Sequence, residues 1–80
     1  MLQSSEINVQ AINIEPYLLV DEVSTIEYYI GVSKSFPDPG LPNWRIKRIL
    51  KIGNVWRFQY PNGDQNFIFI WDDRPLYSYK

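Results

Sequence analysis

The sequence predicts an all-β chain, a small antiparallel β-sandwich or β-barrel of six to seven strands. Three observations predict it. Apolar and polar residues alternate with period two along most of the 80 residues, the pattern of half-buried strands. Tight-turn signals such as Gly53-Asn54 and Pro61-Asn62-Gly63-Asp64 separate the alternating stretches. The apolar content is rich in rings, with three Trp, six Tyr and four Phe. Each ring can bury roughly 150–250 Å², so a short chain can still fill a core.

The elements follow in order. Residues 6–14 place Ile7 and Val9 on one face, and the alternation slips at Ala11-Ile12, a bulge signal. Glu15-Pro16 is a break, residues 17–20 form a short apolar run, and Asp21-Glu22 is a turn candidate. Residues 23–32 alternate most cleanly, with Ile26, Tyr28, Ile30 and Val32 on one face. Gly31 marks a bulge or a close backbone approach there. Residues 33–43 hold Pro37, Pro39, Pro42 and Gly40, which forbids a central strand. This segment is either a connector or a loop that reaches a neighbouring subunit. Residues 44–52 suit a strand or a short helix, and the flanking Pro42 and Gly53-Asn54 favour a strand. Residues 55–60 alternate again. Asn62-Gly63 suits positive φ. Residues 67–71 read as a strand buried on both faces, residues 72–75 as a turn, and residues 76–79 as a last strand. Trp44, Ile46, Phe67 and Trp71 are the expected core anchors.

The length allows one domain, residues 1–80. At this size roughly 60–65% of the unfolded surface is buried. There is no Cys and no His, so no disulfide and no Cys/His metal cluster supports the fold. Oligomerisation or docking is the remaining way to bury more apolar surface. The aromatics therefore either pack a small sheet or stay partly exposed as an interface.

No catalytic residue, cofactor site or metal site is expected, and the chain reads as not an enzyme. Cys nucleophiles and Ser–His–Asp arrangements are excluded by composition. Asp72 and Asp73 are adjacent on the chain, so as strand residues they would point apart and make a poor acid–base pair. Asp64, Asp72 and Asp73 do not fit a calcium loop. The N-terminal five residues lack the basic and apolar regions of a secretory signal. No apolar run has the length to span a bilayer, so no membrane partner is expected.

Net charge is −1, but its distribution is uneven. Residues 1–31 carry Glu6, Glu15, Asp21, Glu22 and Glu27 with no Lys or Arg. Residues 39–63 carry Arg45, Lys47, Arg48, Lys51 and Arg57 with no acid. The two segments either pair within one subunit or let copies associate head to tail, since complementary potentials fix register. Cations interleaved with rings over residues 44–58 also suit a small single-stranded nucleic-acid-binding β-barrel. The acidic overall balance argues against a nucleic-acid partner.

Four short motifs in order resemble a group of small proteins encoded by tailed bacteriophages. They are Tyr29-Ile30-Gly31, then Trp44-Arg45-Ile46-Lys47-Arg48-Ile49, then Tyr60-Pro61-Asn62-Gly63 with Phe67, and Trp71-Asp72-Asp73-Arg74 with Leu76 and Tyr79. The match covers roughly residues 28–79. The resemblance implies a non-enzymatic virion protein without saying which part of the virion.

The expectation is thus a structural subunit located in the virion, as capsid decoration or in the tail or baseplate. Its partners are other virion proteins and symmetric copies of itself. The expected contact residues are Phe36, Pro37, Pro39 and Leu41 in the loop, Arg45, Lys47 and Arg48 in the basic hairpin, and Tyr77 and Tyr79 on the last strand. Arg74 is expected to pair with Asp72 or Asp73, or to cover Trp71 by cation–π contact.

Overall fold

The computed structural model describes residues 17–34 and 38–80. Four strands form one open antiparallel sheet in the order β1-β2-β3-β4. They are β1 Tyr17–Ser24, β2 Glu27–Ser33, β3 Trp44–Ile52 and β4 Val55–Gln59. A 3₁₀ helix, Trp71–Leu76, is the one helical element among the described residues.

Local chemistry sets the turns. The β1–β2 hairpin closes at Thr25-Ile26, where the Ile26 amide donates to Ser24 Oγ at 3.2 Å. The β3–β4 hairpin has a two-residue loop with Gly53 at φ 61°. Asn62 and Gly63 take φ 53° and 74°, and the Asp64 amide closes the turn onto the Pro61 carbonyl at 2.8 Å. Asn-Gly meets this demand with little steric cost.

Strand register defines two faces. Across the covered face run the rows Tyr17–Ser33–Trp44, Leu19–Gly31–Ile46 and Asp21–Tyr29–Arg48–Gln59. The C-terminal segment lies over them. Tyr29, Trp44, Ile46, Phe69 and Trp71 make the buried cluster, with Leu19, Tyr77 and Tyr79 packed against it. Trp44 and Trp71 ring centroids are 6.0 Å apart, and Trp44 Nε1 donates to the Asp38 carbonyl at 3.0 Å. Gly31 is where Trp71 meets the sheet. A Cβ there would lie 2.6 Å from Trp71 Cζ3 and 3.1 Å from Trp44 Cε3, so Gly31 is a close approach and its backbone stays within β2.

The mostly-β class expected from the sequence is present, as four antiparallel strands in one open sheet among the described residues. Several local expectations are corrected. Asp21-Glu22 is no turn: both lie inside β1, because Asp21 has a partner, Arg74, on the covered face. The second strand consequently starts at Glu27 instead of residue 23. Residues 67–71 make one bridge, Trp44 to Phe69, before the chain turns into the 3₁₀ helix at Trp71. Ile68 is exposed, and Phe67 sits outside the buried cluster. Residues 76–79 also make one bridge, Pro61 to Tyr79, flanked by backbone bonds of Tyr60 with Lys80 and of Asn62 with Ser78, while Leu76 belongs to the 3₁₀ helix. The expected strand at residues 6–14 and its bulge lie outside the described residues.

Candidate docking surface

The other face of the sheet is the candidate site. Its rows are Leu18–Val32–Arg45, Val20–Ile30–Lys47, Glu22–Tyr28–Ile49–Phe58 and Lys51–Trp56. Phe67 packs at the Arg45 end, beneath Lys34 and Arg45, at 4.6 and 5.0 Å. Elsewhere this face is open. Leu18 is 58% exposed, Val20 59%, Trp56 43% and Phe58 59%. Single exposed apolar residues are ordinary, but a contiguous apolar face marks an interaction surface.

Cations lie over rings along its β3 lane. Lys47 Nζ is 5.4 Å from the Phe58 centroid, and Lys51 Nζ is 5.6 Å from that of Trp56. Tyr28 packs on Trp56 at 6.2 Å. Neither lysine is in an ion pair among the described residues; Glu22 is the one acid of these open-face rows, and Glu27 and Asp21 are engaged through the other face. Arg48 donates to Glu27 Oε2 from Nε and Nη2 at 2.8 and 2.7 Å. Arg74 donates to Asp21 Oδ2 from Nε and Nη2 at 3.0 and 2.9 Å. The sheet thus sorts charge: paired ions on the covered face, ring-backed lysines on the open one.

Arg74 holds the covering segment down. Its guanidinium also donates to the Trp71 carbonyl at 3.0 Å and stacks 4.5 Å from a Trp71 ring centroid. The expected cation–π contact is present, and the carboxylate partner is Asp21 instead of Asp72 or Asp73. Tyr79 Oη donates to the Arg74 carbonyl at 2.7 Å, while the Ile70 amide donates to Tyr77 Oη at 3.0 Å. Burial pushes the Tyr79 phenol well above its usual range, and neighbouring Tyr29 and Tyr77 add to this. Burial first, then Glu27, raises Tyr29 as well.

The expected contact residues are split by the fold. Arg45 and Lys47 lie on the open face. Arg48 faces the other way, tied to Glu27. Tyr77 and Tyr79 pack on Phe69 and Tyr29 at 5.1 and 5.5 Å, within the covering layer. Pro39 and Leu41 sit beside the 3₁₀ helix, where the Asp72 amide donates to the Pro39 carbonyl at 3.0 Å. Phe36 and Pro37 lie outside the described residues. Leu18 and Val20 are not among the contact residues expected from the sequence, although the apolar run 17–20 carries their signal; Lys51, Trp56 and Phe58 belong to the stretch of cations and rings over residues 44–58.

Among the described residues no group of three acidic, His or Cys side chains is placed to hold a metal ion. No described helix is long and apolar enough to cross a membrane. A scan against protein families, a search of curated proteins and a search of solved structures each find no match. Fold and site together define a class: a β-sheet module that, among the described residues, has one face closed by its own C-terminal segment and one left open.

Proposed function

We propose that this chain is a non-enzymatic structural subunit of a tailed-bacteriophage virion, a capsid decoration or a tail or baseplate piece, acting by protein–protein assembly. Its working surface is the open face. The observation that carries the docking role is the exposure of Leu18, Val20, Trp56 and Phe58 beside ring-backed lysines. The virion placement is supported by the order of the four motifs over residues 28–79. The sandwich belongs to the assembled state. Residues 67–70 and 77–79, each holding one bridge, act as short pieces of a second layer on the covered side. A partner supplies the layer on the open side.

The sequence supports a role without catalysis, since it has neither His nor Cys. Mass spectrometry of purified particles of the encoding phage tests the placement. The chain should be present at a fixed ratio to the major capsid or tail protein. Its absence from particles would contradict the proposal.

The lysines over Phe58 and Trp56 favour a second reading, a single-stranded nucleic-acid surface. It ranks lower because Leu18, Val20 and Ile30, on the β1–β2 side of the open face, offer no ring for a base. Binding of labelled single-stranded DNA that weakens steeply with salt would support it, and salt-independent or absent binding would remove it.

A further inference from the structure

On the side opposite the open face, the end formed by the 38–41 loop and the 3₁₀ helix is acidic and partly apolar. The Gly40 amide donates to Asp38 Oδ1 at 2.8 Å. Asp38 Oδ1 and Asp72 Oδ2 lie 3.4 and 3.7 Å from the place a Cβ on Gly40 would take, so two carboxylates flank one glycine. Asp73 follows on the same short helix. None of the three is in an ion pair among the described residues. Arg74, the cation of that helix, is turned inward to Asp21. Around these acids, Leu41 is 40% exposed and Leu76, at the end of the helix, 79%. Trp71 of this helix packs over Gly31 on the covered face, which places the acidic surface across the sheet from Lys47 and Lys51.

We propose that the occupant of the open face is a second copy of this chain, docked head to tail through its 38–41 loop and 3₁₀ helix. The proposal rests on the docking reading above and names its partner. Charge decides the orientation. Two open faces stacked on each other would bring together Arg45, Lys47 and Lys51 of both copies against a single acid, Glu22, on each, and such like-charge contact opposes association. Head to tail, the lysines meet Asp38, Asp72 and Asp73, while Leu41 and Leu76 cover Val20, Ile30 and Phe58. Size is compatible. A four-stranded face is about 19 Å wide and, along β3, about 30 Å long, roughly 570 Å² in projection, which suits a weak, concentration-dependent contact smaller than the ~800 Å² per partner of a standard interface. The contact is heterologous, so copies close into a ring or continue as a stack. It also uses both sets of residues that the fold separates, Pro39 and Leu41 on one side and Arg45 and Lys47 on the other.

Sedimentation of the full chain, with two double variants, tests this. Lys47→Glu with Lys51→Glu makes both sides acidic. Asp38→Lys with Asp72→Lys makes both sides basic. All four side chains point outward or are half-exposed, and circular dichroism checks that each variant keeps the native fold. The parent chain should associate with rising concentration, more strongly at low salt. Each variant alone should lose association by at least about tenfold, and an equimolar mixture of the two should regain it. A parent chain that stays monomeric at low salt overturns the proposal. So does association indifferent to both variants, or loss without recovery on mixing. If Phe58 and Trp56 are nevertheless shielded in particles, the open face still docks another protein and only the head-to-tail partner fails.

Discussion

Arg74 joins three parts of the chain: β1 through Asp21, the 3₁₀ helix through the Trp71 carbonyl and ring, and the C-terminus through Tyr79, which bonds its carbonyl. Arg74→Met keeps much of the stem but leaves Asp21 without its cation. With both groups partly exposed, the loss should be about 1–3 kcal/mol in denaturant unfolding, between surface and buried ion pairs. Gly31→Ala should cost about 1–3 kcal/mol, because the new methyl must push Trp71 aside in a packed core. An unchanged melting temperature for Gly31→Ala would contradict the close approach. Tyr29 and Tyr79 give a pH signature. Both are raised by burial, whereas unfolded tyrosines ionise near pH 10. A raised folded pKa means the unfolded chain releases its protons first as pH climbs. Stability from these phenols is therefore intact below about pH 10 and falls above it. Tyrosinate absorbance should show two groups lagging and then appearing together with loss of near-ultraviolet circular dichroism. All tyrosines titrating as one class, with the fold intact, would count against their burial.

At the scale of elements, the two faces of one sheet should respond differently. Ile46→Ala, on the fully buried covered face, should cost about 2–5 kcal/mol. Phe58→Thr and Val20→Thr, on the open face, should change the free subunit's stability by less than about 0.5 kcal/mol. Equal losses on both faces would mean the open face is covered in the isolated chain. Strand alternation made β2, β3, β4 and their turns legible in the sequence. Asn62-Gly63 announced its turn, and Gly31 its close approach. Asp21-Glu22 misled, because two adjacent acids after an apolar run look like a turn until the distant Arg74 is brought beside Asp21, a contact that spacing does not encode. Residues 67–71 misled for a related reason. Their alternation is strand-like, but Trp71 is needed over Gly31 and Pro75 sits in the turn that follows, so pairing stops at Phe69. The basic lane of β3 was visible as a run of residues. That Arg48 belongs to the opposite face from Lys47 follows from alternation, whereas its tie to Glu27 needed the pairing of β2 with β3.

For the whole molecule, the sequence shows an acidic and a basic segment, and folding pairs part of one with cations on the covered face. Glu27 and Asp21 go to Arg48 and Arg74. What is left over is a basic, apolar face on one side and an acidic, partly apolar surface on the other. A chain with net charge −1 thus presents two opposed fields, and its associations should weaken as salt rises past the Debye scale of about 10 Å at 0.1 M. The central claim is that the open face works by being covered. Hydroxyl-radical footprinting of Leu18, Trp56 and Phe58, in the isolated subunit and in its assembled form, measures this directly. The account predicts high reactivity in the isolated chain and a several-fold fall on assembly, with buried Ile46 and Trp44 unreactive in both. Equal reactivity of Trp56 and Phe58 in the two states would contradict it.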